Sequence, residues 1–168
     1  MRPGSLTLTV SAIALASSAC GYRFVAPNSE LPAGIKSVRV PVFMNRTAEP
    51  AAELFFTDAA KEQLQRAGRL GGDASDATLA GTLVSVGSGP IQGSPELPRQ
   101  PAFRMTVVLA LELKKGGATV SSTTVVTSEE FPSGADVLLT EANRAQALKR
   151  IAESAVREGL ERLQTPAP

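Results

Sequence analysis

Between Ile35 and Phe43 the apolar residues fall on every second position. Val38, Val40 and Val42 alternate with Ser37, Arg39 and Pro41, the two-residue period of a strand with one covered face. Pro41 has no N–H for a ladder, so it belongs at an edge or near a strand end. Asn45-Arg46-Thr47-Ala48-Glu49-Pro50 then reads as a turn, with Asn45 or Thr47 bonding nearby backbone; a recognition loop at Asn45-Arg46-Thr47 is the alternative reading. Beyond it the period changes. Ala52, Phe55, Phe56, Ala59, Leu64 and Ala67 make one helical stripe, and Glu53, Asp58, Lys61 and Glu62 lie off it. This spacing predicts a helix over 51–67 with Gly68 at its C-terminal cap. A second strand is expected from Ala77 to Val86, carrying Leu79, Leu83, Val84 and Val86. Gly87 to Pro101 is dense in glycine and proline and is expected to form a long loop.

The clearest alternation follows. Phe103, Met105, Val107, Leu109, Leu111 and Leu113 face one way; Arg104, Thr106, Val108, Ala110, Glu112 and Lys114 face the other. Lys115-Gly116-Gly117 is a tight turn, so a fourth strand, Ala118 to Phe131, pairs antiparallel with the third. That strand is mostly Ser and Thr, which suits a light covering or a polar neighbour. Pro132-Ser133-Gly134 breaks the pattern. A last helix runs from about Glu141 to Leu163, with a start nearer Asp136 as the alternative, and Leu148, Ile151, Ala152, Ala155, Val156, Gly159, Leu160 and Leu163 make its apolar stripe.

The order βαβββα predicts an α+β, two-layer sandwich: two helices packed on one face of a four-stranded mixed sheet. The first two strands are expected to be parallel, if they share the sheet. The other sheet face is left without cover from this chain. It reads as Arg, Thr, Ser, Glu and Lys with small apolar residues between, a face suited to a polar surface.

Composition changes the picture at the N-terminus. Arg2 is the only charge before Arg23, and an apolar run from Leu6 to Ala16 leads through Ser17-Ser18-Ala19 into Cys20. The run is too short to span a bilayer. Its basic, apolar and small-residue regions are those of a secretory signal, and the order resembles a bacterial lipobox. Ser17 stands where lipoboxes usually carry Leu. Acylation accounts for a lone thiol in an exported chain, and several acyl chains together anchor stably. The expected layout is a signal peptide over 1–19, an acylated N-terminus and tether over 20–34, one domain over 35–164 and a tail over 165–168. Gly21 rather than Asp after the cysteine resembles the pattern of lipoproteins sent to the outer membrane.

Removing Arg2 from the 17 basic residues leaves 16, equal to the 16 acidic ones, so charge balance gives no reason to expect a nucleic-acid partner. The chain has no histidine and a single cysteine. The commonest general base is missing, and with it the usual zinc ligands. Ser88 in Gly87-Ser88-Gly89 has no histidine to activate it. Glu129 and Glu130 are adjacent on a strand and point to opposite faces, so they are not a catalytic pair. No enzyme, metal or dissociable cofactor is expected.

Several stretches carry a resemblance: "CGYRF" at Cys20, "LPAGIKSVRVPVFMNRTAEPAAE" from Leu31 to Glu53, and the βαβββα order. Together they resemble the LptE family, lipoproteins of lipopolysaccharide export in Gram-negative outer membranes. The resemblance implies two helices on a four-stranded sheet, a covalent diacylglycerol and N-acyl chain on Cys20, and a seat inside an LptD-type outer-membrane β-barrel. It also implies help in assembling that barrel and binding of lipopolysaccharide. No family motif assigns the lipopolysaccharide contacts. From charge and loop position, Lys114, Lys115, Arg99 and Arg104 are the candidates, since Lys and Arg are the side chains for phosphate; a solvated hairpin tip is the alternative reading of the two lysines.

A second function class stays open. Periplasmic activator lipoproteins of peptidoglycan synthases also place an Asn-x-Thr turn after a first strand. Those chains usually carry a long linker after the acylated cysteine, and the expected tether here reaches little of the periplasm at about 3.5 Å per residue.

Overall fold

The computed structural model describes residues 31–91 and 102–164. The signal peptide, Cys20, most of the expected tether, Arg99 and the tail lie outside the described residues.

A single 3-10 turn, Pro32–Gly34, leads into two short strands, β1 (Val38–Arg39) and β2 (Met44–Asn45). Helix α1 (Ala52–Arg66) follows, then the long strands β3 (Ala77–Pro90), β4 (Ala102–Lys115) and β5 (Ala118–Pro132), and helix α2 (Val137–Gln164). The sheet order is β1-β3-β4-β5, with β2 also paired to β3. Both short strands run parallel to β3, and β3-β4-β5 is an antiparallel meander. The expected two-layer α+β architecture and parallel first crossover hold, but the sheet has five strands, not four.

Pro41 explains the difference. It falls between the two pieces of the expected first strand and supplies no N–H to β3. The break also changes which side chains point inward. Val38, Val40 and Phe43 are buried, whereas Val42 is 61% exposed, so a simple alternation through Val42 is wrong by one face. β3 runs four residues further than expected, through Gly87–Pro90, paired with Phe103–Thr106. Here β3 has lost β1 and β2 as neighbours and is itself an edge, where a terminal proline costs no ladder bond. Two of the expected stripe residues of α1, Phe55 and Ala67, are exposed.

Both helices lie on one face. The core joins Phe56 and Leu64 of α1, Leu79 and Leu83 of β3, the odd-numbered Met105–Leu113 of β4, and Ile151, Val156 and Leu163 of α2, all buried. Leu31, placed above in the tether, and Ile35 are also buried, so the packed core already includes Leu31. Gly116 and Gly117 take positive φ values of 57° and 84° in the two-residue turn between β4 and β5, as a primed hairpin turn demands. Gly81 is needed for space: a Cβ there would lie 2.4 Å from the buried Phe43 ring.

Thr57 is the single buried polar residue of the described core. Its Oγ1 accepts from the Phe43 N–H at 3.0 Å and donates to the Glu53 carbonyl at 2.6 Å. The bond ties the end of the broken edge to α1. Thr57→Val keeps the shape and orphans a buried N–H, so it is expected to cost about 1–3 kcal/mol. Urea unfolding checks this; Thr57→Ser, which keeps the hydroxyl, loses clearly less.

Candidate functional site: the open face of the sheet

The strand register lays the uncovered face out in rows. Gly89, Arg104 and Glu130 form one row; Gly87, Thr106 and Ser128 the next; then Ser85, Val108 and Val126. Below them come Met44, Thr82, Ala110 and Thr124; then Ala80, Glu112 and Ser122; and last Arg39, Thr78, Lys114 and Thr119. On β4 these side chains share a face because residues two apart on a strand do; β3 and β5 keep step with it through register shifts that skip Val84 and Val120.

Charge is confined to the ends of this face. Arg104 donates to Glu130 at 2.6 Å at one end. Lys114 pairs with Glu112 at 2.8 Å and Arg39 with Asp73 at 3.3 Å at the other. Apart from Met44 at the edge, the three middle rows hold only small apolar and hydroxyl side chains, with Thr106 and Ser128 sharing a 2.8 Å hydroxyl–hydroxyl bond. Val126 is 62% exposed. The result is a flat, neutral, sparsely polar surface framed by ion pairs.

The candidate cations do not form one clamp. Arg104 and Lys114 stand ten residues apart on β4, about 33 Å at strand rise, and each holds a carboxylate. Arg104 also lines a surface depression with Gly87–Ile91 and Thr106. Lys115 is directed elsewhere: its ammonium donates to the Ala33 carbonyl at 2.9 Å. It fastens the hairpin tip to the segment by which the chain enters the fold. Nearby, the backbone N–H of Lys36, then that of Ser37, hold the exposed Asp76 carboxyl below its ordinary value, with Lys115 adding a smaller pull in the same direction.

The Asn45-Arg46-Thr47 turn is built by its outer members. Asn45 Oδ1 accepts from the Thr47 N–H at 2.9 Å and its hydroxyl at 2.7 Å. Asn45 Nδ2 donates to the Glu49 carbonyl at 2.8 Å and Glu53 Oε2 at 2.7 Å. Glu49 in turn takes both terminal nitrogens of Arg144 on α2, one of them at 2.8 Å. The motif therefore locks β2, α1 and α2 together. Of the three, Arg46 is left out of this network and exposed; among the described residues its backbone N–H bonds the Leu83 carbonyl at 3.0 Å and its side chain has no bond. Its side chain, with Val42 and Met44, borders the open face. Sequence reasoning named Arg46 only within the turn and missed Val42 and Met44; the signal was Pro41, whose break turns those two outward.

Among the described residues, no group of three or more acidic or thiol side chains is placed to hold a metal, and no helix is long and apolar enough to cross a membrane. The family model for LptE, described as lipopolysaccharide-assembly, matches residues 35–163, from the approach to β1 to the last turn of α2. The chain belongs to the LptE family. No curated protein matches it in sequence. Solved structures share the LptE-like fold. Rare lipoprotein B from Shewanella oneidensis is 11% identical, with 71% of this chain and 90% of that chain covered at a TM-score of 0.50. Lipoprotein B from Nitrosomonas europaea is 16% identical, with 86% and 90% covered at 0.52. The PelC dodecamer from Paraburkholderia phytofirmans is 19% identical, with 82% and 95% covered at 0.53. At these identities the likeness is one of fold.

Proposed function

We propose that this LptE-family chain is a non-enzymatic outer-membrane lipoprotein, anchored by a diacylglycerol and an N-acyl chain on Cys20. It seats inside the lumen of an LptD-type β-barrel, helps that barrel assemble, and binds lipopolysaccharide during its export. The observation that carries this reading is the open sheet face. Among the described residues, one side of the sheet is sealed by both helices and the other is left bare, with its middle rows uncharged. A bare sheet face of small hydroxyl and apolar residues suits the polar inner wall of an outer-membrane barrel. The charged ends suit a different neighbour. Lys114 and Lys115 at one end, Arg104 at the other, and Arg99 outside the described residues are the proposed contacts to lipopolysaccharide phosphates, acting at two separate places.

The test is an affinity pull-down of the tagged full-length lipoprotein from detergent-solubilised outer membranes, with mass spectrometry of what accompanies it. A large β-barrel protein in about equal amount, resistant to stringent washing, is the expected result. A peptidoglycan synthase without a barrel would replace this reading with the activator one.

A further inference from the structure

A groove of about 290 Å³ crosses the open face where the edge is broken, and its lining adds Val42 and Arg46, which the barrel reading does not use, to residues of the open-face rows. Its floor is mostly apolar, Val42, Met44, Ala80 and Ala110, with Thr82 among them. Val42 and Met44 are 61% and 55% exposed, a pair of large apolar side chains turned to solvent side by side. Arg46 and Lys114 also line it. Glu112 is the one carboxylate among the described residues of the lining, and Lys114 holds it at 2.8 Å. Arg46 has no carboxylate partner among the described residues, and the Asn45–Thr47 turn that presents it is rigid by its own hydrogen bonds. The groove is thus an apolar trough with one free guanidinium on its border and a net positive lining. A guanidinium matches phosphate geometrically as well as electrically.

We infer that this groove binds an anionic amphiphile, its acyl chain lying along Val42, Met44, Ala80 and Ala110 and its phosphate on Arg46. The ligand class rests on the envelope-lipid reading above, but not on the barrel. A phosphorylated glycolipid and a glycerophospholipid share this chemistry.

The acylated full-length protein is reconstituted in phosphatidylcholine nanodiscs and offered two probes. One is a phosphatidic acid with a photoactivatable group midway along its acyl chain; the other is the neutral diacylglycerol with the same chains. Labelled peptides are mapped by mass spectrometry. Phosphatidic acid is expected to label the Val42–Met44 peptide about tenfold more than the neutral probe, the size of effect that a charge-assisted bond gives. Arg46→Gln removes that excess and Arg46→Lys keeps part of it, with unfolding midpoints unchanged because Arg46 is exposed. Equal labelling by the two probes, labelling indifferent to Arg46→Gln, or labelling confined to other peptides overturns the inference. Unlabelled lipopolysaccharide and unlabelled phosphatidylglycerol are then added as competitors. The one that displaces the probe identifies the source, and displacement by neither overturns it. Barrel co-purification is scored on the same variants. A labelled groove without a barrel leaves this inference standing and removes the plug reading; a barrel with an unlabelled groove does the reverse.

Discussion

Phe56→Ala lowers the unfolding midpoint by about 10–20 °C. Phe56 is fully buried and among the largest wholly enclosed side chains of the core. Replacing such a residue removes its burial and leaves a cavity that neighbours fill only in part, a cost of about 3–5 kcal/mol. In a domain of this size each kcal/mol shifts the midpoint by a few degrees. The effect spreads because α1 carries two other duties. Its Thr57 bonds Phe43, and the turn before it holds Arg144 of α2 through Glu49. Loosening α1 therefore loosens the broken edge and the second helix together. Thermal unfolding followed by circular dichroism measures this. A fall of only a few degrees would mean that the site collapses around alanine and that α1 is not the keystone described here. Phe55→Ala, next in sequence but 37% exposed, serves as the contrast and is expected to change little.

Val126→Arg and Val126→Glu leave the fold intact and reduce barrel co-purification at least tenfold. Val126 projects from the middle of the neutral rows, opposite Val108, and is 62% exposed. Substitution at so open a position alters stability by about 0.5 kcal/mol or less. In an interface the same charge is desolvated without a partner, which costs several times more. Both signs are expected to fail, because the loss is one of desolvation and fit rather than of a specific ion pair. Val126→Thr, near in size and able to bond within a hydroxyl-rich row, is expected to bind as the wild type does. The readout is the ratio of barrel to lipoprotein after pull-down, with the unfolding midpoint measured alongside. Wild-type ratios for both charged variants would place the barrel contact on another face.

The long elements follow from sequence pattern because their packing is simple. β4 is paired on both sides and covered on one face, so its alternation from Phe103 to Lys114 maps directly to inside and outside. α2 lies across the sheet and keeps its apolar stripe in register from Leu148 to Leu163. The first strand misleads for a local reason. Pro41 interrupts it, and the chain resumes with Phe43 inward and Val42 outward, a change of face that period-two reasoning cannot see. β3 extends past Val86 because its glycines and Pro90 fall where it has become an edge, a fact of topology rather than of composition. The candidate site divides in the same way. An open, mostly uncharged sheet face is readable from β4 and β5 alone. The positions of Arg104 and Lys114 at opposite ends follow only once the strand is known to be straight and continuous. The isolation of Arg46 depends on its neighbours Asn45 and Thr47 satisfying each other, which neither residue announces by itself.

The interruption at Pro41 has a consequence for how this sheet meets copies of itself. A long regular edge is a template for the strand of another molecule, and proteins blunt such edges with prolines and short strands. Here one side of the sheet ends in two strands of two residues each, too short to be extended by a neighbour. The opposite side is the fifteen-residue β5, where Arg162 of α2 donates to the outward carbonyl of Thr124 at 2.9 Å. Growth by strand addition is left two places to start from: the run of β3 beyond β2, which ends in Pro90, and the outer side of β5, where a helix side chain already occupies part of the edge. A chain built this way is guarded against aggregation while one of its faces is bare.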